Sequence, residues 1–112
     1  MKVYAHRGAS GRKPEMTMAA YLAAIEDKAD GFECDVRLTK DLQIICQHDP
    51  TTKRLSGKNL RISGTDYDEI RATGEVLKLA ELLDVAILNR KNVLIETKHP
   101  GKSGGEIDGK VL

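Results

Sequence analysis

Apolar positions along this chain repeat with two periods, about two residues in some stretches and about 3.6 in others. Lys2 to Ala5 is a short β-prone run that stops at His6-Arg7-Gly8, and the glycine- and proline-containing stretch from Gly8 to Pro14 reads as a loop. From Glu15 or Met16 to Asp27 the residues Ala19, Leu22, Ala23 and Ile25 recur near helical spacing in an alanine-rich segment, which predicts a helix. Gly31 to Val36 predicts a second strand. Beyond the turn-prone Thr39-Lys40-Asp41, Leu42 to Gln47 predicts a third, closed by His48-Asp49-Pro50. Thr51 to Thr65 is polar and broken by Gly57 and Gly64, so it reads as a long loop without a regular element. A short helix is predicted over Asp66 to Ala72, capped by Thr65 or Asp66. A longer one covers Leu79 to Leu88, with Leu79, Leu82, Leu83 and Ala86 on one face. Asn92 to Thr97 alternates as a strand, and Gly101 to Gly109 is a glycine-rich tail. Strands that alternate with helices predict an α/β fold with a largely parallel sheet.

The 112 residues make one domain at most. Leu, Ile, Val and Phe make up about a quarter of them, enough apolar material for a folded core. The formal net charge of +1 gives no field that would argue for a nucleic-acid partner or an anionic membrane surface. The longest stretch free of charge and His, Met16 to Ile25, is far short of the ~20 apolar residues of a membrane span, so no stable membrane insertion is expected. Lys2, His6 and Arg7 bracket too few apolar residues for a secretory signal, which makes the cytoplasm the default address. Cys34 and Cys46 each lie in an apolar stretch and read as reduced core thiols.

Strand parity brings the chemistry together. Side chains alternate between the faces of a strand, so Glu33 and Asp35 share one face while Phe32 and Cys34 take the other. In the last strand Leu94, Glu96 and Lys98 fall on one side, and Val93, Ile95 and Thr97 on the other. His6 and Arg7 follow the first run directly, and His48 follows the third. Each of these residues taken singly reads as ordinary surface. Two His, three acids and two cations at equivalent C-terminal ends of four β-segments are a different matter, because that edge is where parallel α/β folds build their sites.

Three clustered carboxylates repel one another unless a cation joins them, and all-oxygen ligation suits a hard ion such as Mg2+ or Ca2+. A divalent metal is therefore expected. Three carboxylates, one divalent ion, Arg7, Lys98 and a phosphodiester together carry no net charge, so phosphodiester chemistry fits this set. The two His then share the proton traffic, one as base toward an attacking oxygen and one as acid toward the leaving alkoxide, while the metal polarises the phosphoryl oxygen.

His6-Arg7-Gly8 followed by Pro14-Glu15, then Glu33-x-Asp35, His48-Asp49 and Glu96-x-Lys98, closely resembles the glycerophosphodiester phosphodiesterase family over nearly the whole chain. The resemblance implies a (β/α)8 barrel that hydrolyses glycerophosphodiesters, such as glycerophosphocholine, to glycerol 3-phosphate and an alcohol with a divalent metal. It implies His6 and His48 as the acid/base pair, and Glu33, Asp35 and Glu96 as metal ligands. Arg7 and Lys98 would contact the phosphate, with a supporting role for Glu15. Residues 51–65 would match the small insertion that caps the site and helps select the alcohol.

Two departures stand out. Met16 occupies the position where the family usually has Asn. A full barrel takes ~250 residues, so residues 1–112 are expected to form only the N-terminal portion of the catalytic barrel, its first three to four βα units with parallel strands. Such a fragment exposes strand edges, which points to truncation or to a homo-oligomer. Two alternatives stay open: a non-catalytic half-barrel module that binds metal or phosphate and oligomerises, and a phospholipase D-like or cyclising phosphodiesterase related to the sphingomyelinase D type. The sequence shows no amphipathic or strongly apolar surface segment suited to a membrane-embedded substrate.

Overall fold

The structure is a computed structural model that describes residues 3–8 and 10–98. Its strands are β1 (Tyr4–Ala5), β2 (Gly31–Leu38), β3 (Ile44–Cys46) and β4 (Asn92–Thr97), and its helices are α1 (Met18–Glu26), α2 (Lys53–Ser56), α3 (Tyr67–Arg71) and α4 (Leu79–Leu88). A 3-10 turn spans Ile62–Gly64. β2 is the central strand. β1 pairs with its start in parallel, Tyr4 opposite Gly31 and Ala5 opposite Phe32. β4 pairs with it in parallel from Gly31 opposite Asn92 to Val36 opposite Thr97. The glycine-rich tail lies outside the described residues.

α1 begins later than the alanine pattern predicts because the backbone at Met16 is left-handed, with φ 53°, and Thr17 is the cap. Its Oγ1 accepts from Ala20 N–H at 3.2 Å, satisfying one of the donors that a helix start leaves open. α1 and α4 both cover one face of the sheet. There Tyr21, Phe32, Cys34, Val36, Cys46, Leu79, Leu82 and Ala86 form the buried core, and both cysteines are free thiols. The rings of Tyr21 and Phe32 meet at 5.1 Å. The Tyr21 hydroxyl donates to the Glu33 carbonyl at 3.0 Å, which ties α1 to the strand that carries the acids.

The expectation of parallel strands fails at β3. It runs antiparallel to β2, with Val36 opposite Cys46 and Leu38 opposite Ile44. The reason is length: five residues separate the two strands, whereas a parallel crossover needs a dozen or more. The turn closes on itself, Thr39 Oγ1 accepting from Gln43 N–H at 2.9 Å and Leu42 taking φ 62°. Ile45 points away from the main core and packs with Ile62, Ile70 and Val76 in a second cluster. That cluster organises the stretch read as a featureless loop, which contains α2 and the 3-10 turn.

Gly31 sits where three strands converge. A Cβ there would lie 2.6 Å from the Asn92 carbonyl oxygen and 2.6 Å from Tyr4 Cε2. Gly31→Ala is expected to destabilise the fold by about 1–3 kcal/mol, the usual cost of overpacking. A lower urea midpoint at unchanged slope would show it, and an unchanged midpoint would mean that β1 and β4 are not held this tightly.

Candidate active site

The face of the sheet opposite the core carries the acids. Glu33 and Asp35 project from β2, and the register that sets Asp35 opposite Glu96 brings the third carboxylate beside them. One oxygen from each of Glu33, Asp35 and Glu96 lies within 4.8 Å of the others. Asp35 is 1% exposed, and neither of its oxygens has a hydrogen-bond partner among the described residues. Arg7 Nε is 3.2 Å from Asp35 Oδ2 without alignment for a bond, and Lys98 Nζ is 4.0 Å from Oδ1. Burial, and next the charge of Asp35, push the Glu33 carboxyl up. Lys98, bonded to Glu96 Oε1 at 2.6 Å, holds the Glu96 carboxyl down. A buried carboxylate without an aligned partner among the described residues, set between two other acids, suits a hard cation with oxygen ligands.

Arg7 reaches the acids through a sharp turn. Its φ is 56° and that of Gly8 is 79°. Only a residue without Cβ fits at Gly8, since a Cβ there would lie 2.8 Å from Ala20 Cβ. The Arg7 N–H donates to both the Glu33 carbonyl and Glu33 Oε1, each at 3.1 Å. The preceding His6 is exposed, its Nε2 3.7 Å from Glu33 Oε1. Met16 is buried here, and its Sδ accepts from the Asp35 N–H at 3.4 Å. Asn tolerates a left-handed backbone better than Met does. Met16 therefore supplies the Asp35 N–H with an acceptor from a backbone conformation that suits it less well than it would suit Asn.

His48 arrives by a route that the parallel reading missed. β3 runs back along β2, so Gln47 N–H donates to the Asp35 carbonyl at 2.9 Å. The Arg37 side chain then clamps the His48 carbonyl from Nε at 3.0 Å and Nη2 at 2.8 Å. Asp49 Oδ1 lies 2.8 Å from His48 Nδ1. Hydrogen bonds from Arg54, and then from His48, bring the Asp49 carboxyl down to about 2. An ionised carboxylate can only accept, so Nδ1 carries the proton and neutral His48 has a bare Nε2.

The predicted residues are thus gathered at one edge of the sheet. Glu15 differs from the others in that both of its oxygens are taken by guanidinium groups, Arg7 Nη1 at 3.3 Å and Arg54 Nη1 at 2.9 Å. Asp49 enters the sequence reading only within the His48-Asp49 motif and without a role, and Arg54 does not enter it. Asp49 beside His48 was a usable signal, whereas nothing in the spacing of Arg54 marks it. A cavity of about 270 Å³ opens next to Glu15 and Gln47, walled by Thr52, Leu55 and Val76. None of His6, Arg7, Glu33, Asp35, His48, Glu96 and Lys98 lines it.

The model of the glycerophosphoryl diester phosphodiesterase family matches residues 6–105. The chain belongs to that family. It is 36% identical to the Mycobacterium tuberculosis protein named "Probable glycerophosphodiester phosphodiesterase 1", the match covering 98% of this chain and 47% of that one. It superposes on a Thermotoga maritima glycerophosphodiester phosphodiesterase with a TM-score of 0.86 and 30% identity, over 99% of this chain and 49% of that one. It superposes equally, with a TM-score of 0.86, on an Oleispira antarctica phosphodiesterase solved with sn-glycerol-3-phosphate. That match, at 24% identity, covers the whole of this chain and 51% of the other, and shows the fold. The chain spans about half the length of the relatives it matches, and its strands and helices form part of their barrel. Membership in the family points to a divalent cation, and the three carboxylates are a group that could hold one. No described helix is long and apolar enough to cross a membrane.

Proposed function

We propose that this chain carries the reactive half of a site that hydrolyses glycerophosphodiesters to glycerol 3-phosphate and an alcohol. Asp35 is the observation that carries the reading: a buried carboxylate with no hydrogen bond among the described residues, set between two acids and faced by Arg7 and Lys98. Glu33, Asp35 and Glu96 would hold Mg2+ or Ca2+, which supplies charge stabilisation to the phosphoryl oxygens. Arg7 and Lys98 receive the phosphate. Glu15 acts through Arg7, since a carboxylate set against an anion would repel it. As the attacking oxygen bonds to phosphorus, its proton passes to one imidazole. The bond from phosphorus to the alcohol oxygen then breaks, and that oxygen takes a proton from the other imidazole.

The decisive experiment is release of glycerol 3-phosphate from glycerophosphocholine by the purified chain. Release that chelator stops, and that added Mg2+ or Ca2+ restores, is expected. Equal release in chelator would refute the metal requirement. A second reading, a module that binds metal and phosphate without turnover, is favoured by Leu94, which is 59% exposed on the acid-bearing face. Sedimentation to a defined oligomer with no release from a folded sample would select it.

A further inference from the structure

Arg7 and His48 are joined through a residue that touches none of the three clustered carboxylates. Arg54, on the short helix α2, forks onto Glu15 with Nη1 at 2.9 Å from Oε1 and Nη2 at 3.1 Å from Oε2. The same guanidinium reaches Asp49, with Nε 2.7 Å from Oδ2 and Nη2 3.3 Å from Oδ1. Glu15 in turn takes Arg7 Nη1, and Asp49 takes His48 Nδ1 at 2.8 Å. The chain Arg7, Glu15, Arg54, Asp49, His48 is therefore continuous, and it spans two segments 39 residues apart in sequence. We propose that Arg54 is a positioning residue that sets Arg7 and His48 in register with each other.

Three features separate this role from an ordinary surface ion pair. The Arg54 side chain is 48% exposed, but the carboxylates it bonds, Glu15 and Asp49, are only 12% and 21% exposed. Arg54 is the largest influence holding both carboxyls below their ordinary range, and each of them also bonds one residue of the site, Arg7 or His48. The arrangement also needs a planar fork. Lys is a point charge and cannot bond two carboxylates at four places. Exposed ion pairs add little to stability, so losing Arg54 should disturb geometry far more than folding.

The inference about turnover rests on the activity proposed above, and the test reads the two separately. In the 112-residue chain labelled with 15N-histidine, neutral His48 is expected as the Nδ1-protonated tautomer. Arg54→Gln should shift it toward the Nε2-protonated form. The same variant should lose roughly 10²-fold in kcat/KM for glycerophosphocholine, the usual effect of misplacing a reacting group. Its Tm should stay close to that of the parent. Arg54→Lys should recover only part of both losses. An unchanged tautomer together with an unchanged kcat/KM in Arg54→Gln would overturn the proposal. If the parent shows no turnover, the activity is refuted for this chain and the tautomer alone decides on Arg54. Should Arg54→Gln fail to fold, the imidazole spectrum of Arg54→Lys decides in its place, with a parental tautomer overturning the proposal.

Discussion

Asp35→Asn should leave a folded chain that no longer answers to divalent ions. Asn keeps the shape of the side chain, and the lost carboxylate had no aligned hydrogen bond to forfeit. What disappears is the middle one of three oxygen donors within 4.8 Å. Two remaining acids face Arg7 and Lys98 with one negative charge fewer, so a cation is attracted less and held less. Changes to residues outside the ligand set commonly cost 10–100-fold in metal affinity, and loss of a ligand should cost more than that. Added at about 100 times its Kd, a metal stabilises the parent by about 2.7 kcal/mol. Thermal unfolding with and without Mg2+ or Ca2+ therefore reads the difference directly. The parent is expected to gain several degrees and Asp35→Asn none, with turnover lost beside it. An equal gain in both proteins would remove Asp35 from the metal site.

How far the sequence reaches is clearest where periodicity is strong. Helix α4 and strand β4 lie where Leu79 to Leu88 and Asn92 to Thr97 predict them, because α4 buries one face, β4 half-buries Val93 and Ile95 against the core, and the pattern records both. Parity likewise placed Glu33 and Asp35 on one face and Phe32 and Cys34 in the core. What escaped depended on direction and on distance along the chain. Alternating strands and helices suggested a parallel β3, although the five-residue gap before it already forbade a crossover. Met16 delayed α1 because a left-handed backbone leaves no mark in an alanine pattern. α2 has four residues and no periodicity, so the contacts of Arg54 appear only once Glu15 and Asp49 have been folded against it.

His48→Ala and His6→Ala should each reduce kcat by about 10²–10⁴-fold, and the two losses should differ in kind. Ionised Asp49 bonds His48 Nδ1 at 2.8 Å. That leaves Nε2 with its lone pair, and it steadies the imidazolium that forms when Nε2 takes a proton, so His48 is placed to be the base. Among the described residues, no carboxylate bonds His6 Nδ1 in this way. His6 is 66% exposed, and its Nε2 stands 3.7 Å from Glu33 Oε1, open to an alcohol that leaves toward solvent. A substrate whose alcohol is replaced by a nitrophenol separates the roles, because that oxyanion departs without a proton. On it, His6→Ala should recover most of its lost rate while His48→Ala stays slow. The reverse pattern would exchange the two assignments, and equal recovery by both would mean that neither imidazole is committed to one proton. The double variant should lose much less than the product of the single losses, since two groups that act in one proton transfer sequence fail together.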